Sequence, residues 1–224
     1  MSKTTVNHAI NSRFSARIFT DQAVPTSTIQ EILATAIQAP SNGNLQPWNV
    51  VVAQGEKLDA ALAQFNQGLY QDGKLEQPQY AIYPDNISKQ HKARRKACGE
   101  LMYDALGISK EDKPARIQQA MKNFSFFGAP TGLILSMHED MGMGQAIDTG
   151  IFAQNIMLLA TERGLASCPQ ASWAQWPNRV RECFGIAKDH LILMGIAIGY
   201  ADMGQPVNNS RQPRIATDDC VTFL

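Results

Sequence analysis

Between Arg13 and Trp48 the side-chain pattern changes period twice, and that succession constrains the fold more than any other stretch of the chain. Arg13, Ser15 and Arg17 alternate with Phe14, Ala16, Ile18 and Phe19, so an extended backbone places the three polar side chains on one face. From Thr28 the period becomes helical. Ile29, Ile32, Leu33, Ala36 and Ile37 recur on one face, and Thr28 with Glu31 has the spacing of a capping box. Pro40 ends the helix. The residues from Pro40 through Ser41, Asn42, Gly43, Asn44 and Gln46 to Trp48 make a loop dense in hydrogen-bonding groups and turn formers. Asn49 to Ala53 then reads as a short buried strand.

The remainder supplies more elements of both kinds. Glu56 to Phe65 predicts a second helix, and Asn66 to Asp85, with Gly68, Gly73, Pro78 and Pro84, predicts a long surface excursion. Helices are expected again over Ser88 to Leu106 and Pro114 to Asn123. Thr131 to Met137 is a strand, and Ala146 to Arg163 is a helix closed by Gly164. Ile147, Ile151, Ile156, Leu158 and Leu159 are spread around that helix, which predicts a central, largely buried element. Trp176 and Pro177 open a short helix, and His190 to Ile198 is an apolar strand. The tail beyond Gly199 carries Arg211 and Arg214 and ends in Val221, Thr222, Phe223 and Leu224, too apolar to be left in solvent. With no repeat and no linker, the 224 residues are expected to form a single domain.

Composition removes several function classes. The formal net charge is zero, so no global field attracts nucleic acid or an anionic membrane, and an anion site must be local. Four cysteines, Cys98, Cys168, Cys183 and Cys220, show neither CxxC pairing nor metal-like spacing with the histidines and read as reduced thiols. GxSxG, HExxH and GxxxxGK[ST] motifs are absent. The longest apolar run, Leu191 to Ile198, is too short for a bilayer, and with no signal-peptide core at the N-terminus the expected location is cytoplasmic. Any chemistry is expected to depend on a borrowed group.

Two guanidinium forks and a hydroxyl are what a phosphate monoester needs, and Arg13, Ser15 and Arg17 with Arg211 and Arg214 could supply them. The alternative is surface ion pairing with acidic neighbours such as Asp21 and Asp218. Ser41, Asn42, Asn44 and Gln46 suit a ligand with many polar edges, or else a well-made turn. His91, Lys92, Arg94, Arg95 and Lys96 read as a solvated basic face, or as part of a lid helix that holds a phosphorylated substrate.

Four segments, RxSxR at 13–17, PSNGNLQPW at 40–48, GLASCPQ at 164–170 and RQPR at 211–214, resemble in order and spacing those of the FMN-dependent nitroreductases. The resemblance spans nearly the whole chain. An insertion at 66–122 further resembles the nitrobenzoate-reductase-like branch. It implies an α+β fold, a mixed β-sheet flanked by helices, in a homodimer whose protomers exchange their C-terminal tails over residues 200–224. FMN would lie in the dimer interface. Arg13 and Arg214 match the family's phosphate-binding arginines and Ser15 the assisting hydroxyl. Arg17 stands where many relatives carry lysine near the pyrimidine edge, where a cation would stabilise reduced flavin. Pro40, Ser41, Asn42 and Asn44 would reach the flavin of the other protomer. Pro169 and Gln170 occupy the positions where a backbone N–H lies beside flavin N5, although many members have glutamate and glycine there. Asn123 matches an asparagine near the polar edge, and Arg211 a phosphate-side lysine.

The implied activity is ping-pong transfer of hydride from NAD(P)H to the flavin and of two electrons to a nitroaromatic, quinone or similar acceptor, with no side chain acting as catalytic acid or base. Two other readings compete. One is a flavin-binding redox sensor or scaffold without turnover. The other is a classical nicotinamide dehydrogenase, carried by a partial GxGxxG in which Gly142 and Gly144 precede Ile147.

Overall fold

The computed structural model describes residues 5–71 and 76–224. Its four strands are β1 (Asn49–Gln54), β2 (Thr131–His138), β3 (Ala166–Gln170) and β4 (His190–Gly199), arranged β1-β2-β4-β3 with every neighbouring pair antiparallel. A bulge at Leu135 and Ser136 shifts the β2–β4 register. The described helices are α1 (Val6–Ser12), α2 (Thr26–Ala36), α3 (Gly55–Gln71), α4 (Lys89–Ala105), α5 (Lys113–Met121), α6 (Met143–Glu162), α7 (Pro177–Phe184) and α8 (Pro206–Asn209). An isolated parallel bridge joins Ser15 to Ser167, and Ala16 N donates to Ser167 O at 3.1 Å. Through it the extended segment after α1 touches the β3 edge in a single parallel bridge, while the four-stranded sheet itself is antiparallel throughout.

β2 and β4 read as unbroken apolar runs because helices cover both faces of the sheet. Ile134 and Ile192 pack with Phe65 of α3, Phe184 of α7 and Trp173. Leu133, Leu135 and Ile196 face the other way, onto Ile29 and Ile32 of α2 and Phe152 and Ile156 of α6. The two-residue alternation along β2 thus sorts its side chains between two cores.

A 3-10 segment, Lys122–Gly128, carries Phe126 at φ 48° and Phe127 at φ 55°, a left-handed conformation uncommon for aromatic residues. Packing holds it there. The buried Phe126 ring lies 4.6 Å from that of Trp173, and the two rings fill the space that side chains at Gly132 and Gly195 would take. A Cβ at Gly195 would overlap the indole. Gly195→Ala is therefore expected to cost about 2–3 kcal/mol, read as a lower urea midpoint. An unchanged midpoint would mean that Trp173 repacks freely.

Several expectations need correcting. α2 starts at Thr26 after Pro25, and Thr28 and Glu31 form no capping box; Thr26 Oγ1 instead donates to Gln54 Oε1 at the end of β1. The helix expected over Glu56 to Phe65 continues to Gln71, so the surface excursion starts later, and Gly73 lies outside the described residues. Beyond that gap the chain is tied down: Glu76 accepts from Asn178 N and Arg179 N at the start of α7, and Gln79 and Tyr80 bond Ile192 N and Leu193 O of β4. α6 is buried on one side only. Met143, Ile147 and Ile151, spaced by one helical turn, are 79%, 60% and 38% exposed. Finally, β2 is antiparallel to both neighbours, so Gly142 and Gly144 at the start of α6 belong to no parallel βαβ unit, and the dehydrogenase reading fails.

Candidate functional site

The two ends of the sequence meet at the cationic cluster. The backbone after α1 pairs with the start of the tail: Thr20 N donates to Tyr200 O at 2.8 Å and Asp202 N to Ile18 O at 3.1 Å. Asn208, fully buried in α8, completes the clamp. Its Oδ1 accepts from Arg17 N at 2.9 Å, and its Nδ2 donates to Ile18 O and Asp202 O. Arg211 Nη1 donates to Asn208 O, and its guanidinium lies 4.0 Å over the Phe14 ring.

Arg13, Ser15 and Arg17 are half-buried, whereas Arg211 and Arg214 are exposed. Arg17 Nη1 donates to Ser15 O, and Arg214 Nη1 donates to the carbonyls of Gln212 and Pro213. Burial, and then the like charge of Arg214, hold the Arg13 guanidinium below the usual arginine range. Among the described residues none of these four arginines pairs with a carboxylate, so the ion pairs with Asp21 or Asp218 do not form. Repelling cations have been brought together without a counter-charge.

Beside them opens a cavity of about 370 Å³. Arg17, Cys168, Pro169 and Gln170 form one side, and Tyr83, Tyr103 and Asn123 from the 66–122 region and its C-terminal flank form the other. Burial pushes the Cys168 thiol up to about 11, against the opposing pull of the Arg17 charge, a Ser15 hydrogen bond and the Arg13 charge. It stays protonated at neutral pH and is no nucleophile. The buried Gln170 side chain is committed to the fold: Nε2 donates to Asn123 O at 2.8 Å, and Oε1 accepts from Trp173 Nε1 at 3.5 Å. Asn123 turns its own amide to Ala120 O. Among the described residues no cluster could hold a metal ion.

The polar loop stands elsewhere in the same chain. Asn42 N donates to Oδ2 of Asp148, a buried carboxylate on α6, at 3.1 Å; Gln46 N donates to Ser41 Oγ at 3.0 Å; and Trp48 stacks on Phe152 at 5.0 Å. Gly43, Asn44 and Gln46 all have positive φ. Pro40, Asn42 and Asn44 are left exposed on this rigid turn, with Ser41 half-buried. No hydrogen bond joins the loop to the arginines within the described residues. The structure therefore unites Arg13, Ser15, Arg17, Arg211 and Arg214, sets Asn123, Pro169 and Gln170 beside Arg17, and leaves the loop apart.

The Nitroreductase family model matches residues 10–200. The chain belongs to the nitroreductase family. This nitroreductase-family chain is 35% identical to a 4-nitrobenzoate reductase of Nocardioides sp. (strain LMS-CY), over 96% of its own length and 88% of the relative's. It is similar to the solved FMN and NADPH-dependent nitroreductase NfnB of Sphigopyxis sp. strain HMH, with a TM-score of 0.94 at 38% identity, covering 98% of this chain and 99% of that one. NfnB of Mycobacterium smegmatis, solved in complex with NADPH, matches with a TM-score of 0.91 at 30% identity, covering 97% of each chain. No described helix is long and apolar enough to cross a membrane.

Sequence reasoning missed Asn208, Asp148 and the two tyrosines. The first two are single polar residues whose partners lie 191 and 106 positions away, a separation no local pattern carries. Tyr83 falls in the surface excursion with little periodicity and Tyr103 near the end of α4, and only the cavity they share reveals their common role.

Proposed function

We infer that this chain is an FMN-dependent oxidoreductase that uses NAD(P)H to reduce nitroaromatic or similarly electron-poor acceptors. The observation that carries the reading is the cluster of Arg13, Arg17 and Arg214 without a carboxylate, of which Arg17 lines a cavity of ligand size. Uncompensated guanidinium groups fit a phosphate monoester, which supplies both the missing charge and acceptor oxygens in a matching fork. Ser15 adds a hydroxyl and Arg211 a further donor. When bound, FMN supplies the redox chemistry, taking hydride at N5 from reduced nicotinamide and passing two electrons to an acceptor that replaces it.

The protein's own residues bind and orient. Arg17 sets a fixed positive charge at the edge of the cavity, suited to negative charge gained on reduction. The Asn123 and Trp173 contacts lock the Gln170 side chain, so its main-chain N–H is the group assigned to N5; the departure from a Glu-Gly pair alters a structural brace and keeps the backbone donor. Asn123 and Pro169 close the cavity beside it. The 66–122 region acts as the lid of a single-domain chain.

Pro40, Ser41, Asn42 and Asn44 are assigned to the flavin of a second protomer. Dimerisation is supported by the stripe of Met143, Ile147 and Ile151, and by an adjoining apolar groove of about 380 Å³ that includes Met137, Met141 and Met194. The exposed tail end, with Phe223 90% exposed, is assigned to the partner's surface.

The purified chain, loaded with FMN, is expected to bleach under reduced nicotinamide without oxygen and to recolour on addition of 4-nitrobenzoate. Failure to retain or rebind FMN, or a flavin that reduced nicotinamide leaves yellow, would overturn the assignment.

A further inference from the structure

A second, more basic cleft lies outside the flavin site. It measures about 690 Å³, within the range of small-ligand pockets, and is built by α4, α5 and the segments flanking them. Lys92, Arg95, Lys96, Lys110 and Arg116 line it, against Asp85, Glu100 and Asp104. Five cations against three carboxylates leave the lining two charges positive, in a chain whose formal net charge is zero. Lys96 is engaged with Glu100 at 3.6 Å. Lys92 and Lys110 form no ion pair among the described residues.

Two contacts connect this cleft to the inner cavity. The Arg95 guanidinium lies 3.9 Å over the Tyr83 ring, and that of Arg116 lies 4.0 Å over the Tyr103 ring. Each arginine lines the basic cleft, and each tyrosine lines the cavity at Pro169 and Gln170. The tyrosines thus form a wall between the two spaces, with guanidinium groups held on the outer side. Arg116 is fixed further by its Nε donating to Ser109 O at 2.9 Å.

Resting on the proposed reductase activity, we propose that this cleft binds the phosphorylated adenosine end of NADPH, with Lys92 and Lys110 facing the 2′-phosphate, and so sets a preference for NADPH over NADH. A nicotinamide ring must enter the inner cavity to react, and the adenosine end of the same extended molecule then needs a second site close by. Lysine ammonium groups suit a phosphate monoester as point charges, and a dinucleotide without the 2′-phosphate has nothing to offer them. The basic run at the start of α4 is then a recognition surface of the lid as well as a solvated face.

The test pairs a titration with kinetics, on the FMN-loaded wild type and on Lys92→Glu/Lys110→Glu. By calorimetry, 2′,5′-ADP is expected to bind wild type at least tenfold more tightly than 5′-AMP or inorganic phosphate, and the double variant is expected to lose that margin. In steady state, the ratio of KM for NADPH to KM for NADH is expected to rise at least tenfold in the variant. If 5′-AMP or inorganic phosphate binds as well as 2′,5′-ADP, or if the KM ratio does not move, the assignment is overturned. If the chain oxidises neither nicotinamide, the reductase reading fails, and the titration still decides what the cleft binds.

Discussion

Replacing Arg13 and Arg214 together by alanine is expected to weaken FMN binding about a thousandfold while leaving the thermal midpoint of the flavin-free chain unchanged or slightly higher. The two effects have one cause. In the free chain the guanidinium groups repel, Arg13 is partly desolvated, and no carboxylate offsets either charge, so truncation removes an unfavourable arrangement. With phosphate present the same charges become donors. Hydrogen bonds to charged groups contribute about 1.5–3 kcal/mol each, so losing a pair costs about 4 kcal/mol, about three decades in Kd. Because both arginines address one anion, the single variants are expected to be non-additive. Flavin fluorescence titration and a melt of the flavin-free protein measure the two quantities. Unchanged FMN affinity would remove the arginines from the phosphate site, and a large fall in the midpoint of the flavin-free chain would make them structural instead.

The N-terminal half of the cationic cluster is legible in the sequence because it follows a local rule, whereas Arg211 and Arg214 join it only through long-range contacts. Arg13, Ser15 and Arg17 share a face because an extended backbone alternates, and alternation is local. Strands β2 and β4 were legible for a similar reason, since an apolar run covered on both faces leaves a continuous signature. β3 was not. Its residues, Ala166, Ser167, Cys168, Pro169 and Gln170, have weak strand preference, and the segment is extended because β4 offers it a partner edge. The same limit hid Asn208, whose importance lies in bonding three main-chain groups of other segments. On α6 the apolar residues run all round the helix, and within one chain only one side of it is covered, with Met143, Ile147 and Ile151 exposed.

Removing residues 216–224 is expected to convert the protein from a flavin-loaded dimer to a monomer that binds FMN poorly. The cut after Ile215 is chosen from the structure. A cut after Tyr200 would also delete Asn208, release the Arg17 backbone and remove both tail arginines, confounding loss of the partner with loss of the site. The shorter deletion keeps the clamp, Arg211 and Arg214, and removes only a segment whose Val221, Phe223 and Leu224 are 44%, 90% and 120% exposed. If those apolar side chains grip a second protomer, their loss weakens the interface formed by Met143, Ile147 and Ile151, and the flavin loses the loop at Pro40 to Asn44 that only a partner can supply. Sedimentation velocity and the flavin-to-protein absorbance ratio read the two losses. Ile147→Glu, which buries a charge at the same interface and leaves the tail intact, is expected to give the same pair of results. A truncated chain that still sediments as a flavin-loaded dimer would refute the wrapping tail, whereas dimers in the Ile147→Glu variant would move the interface off α6.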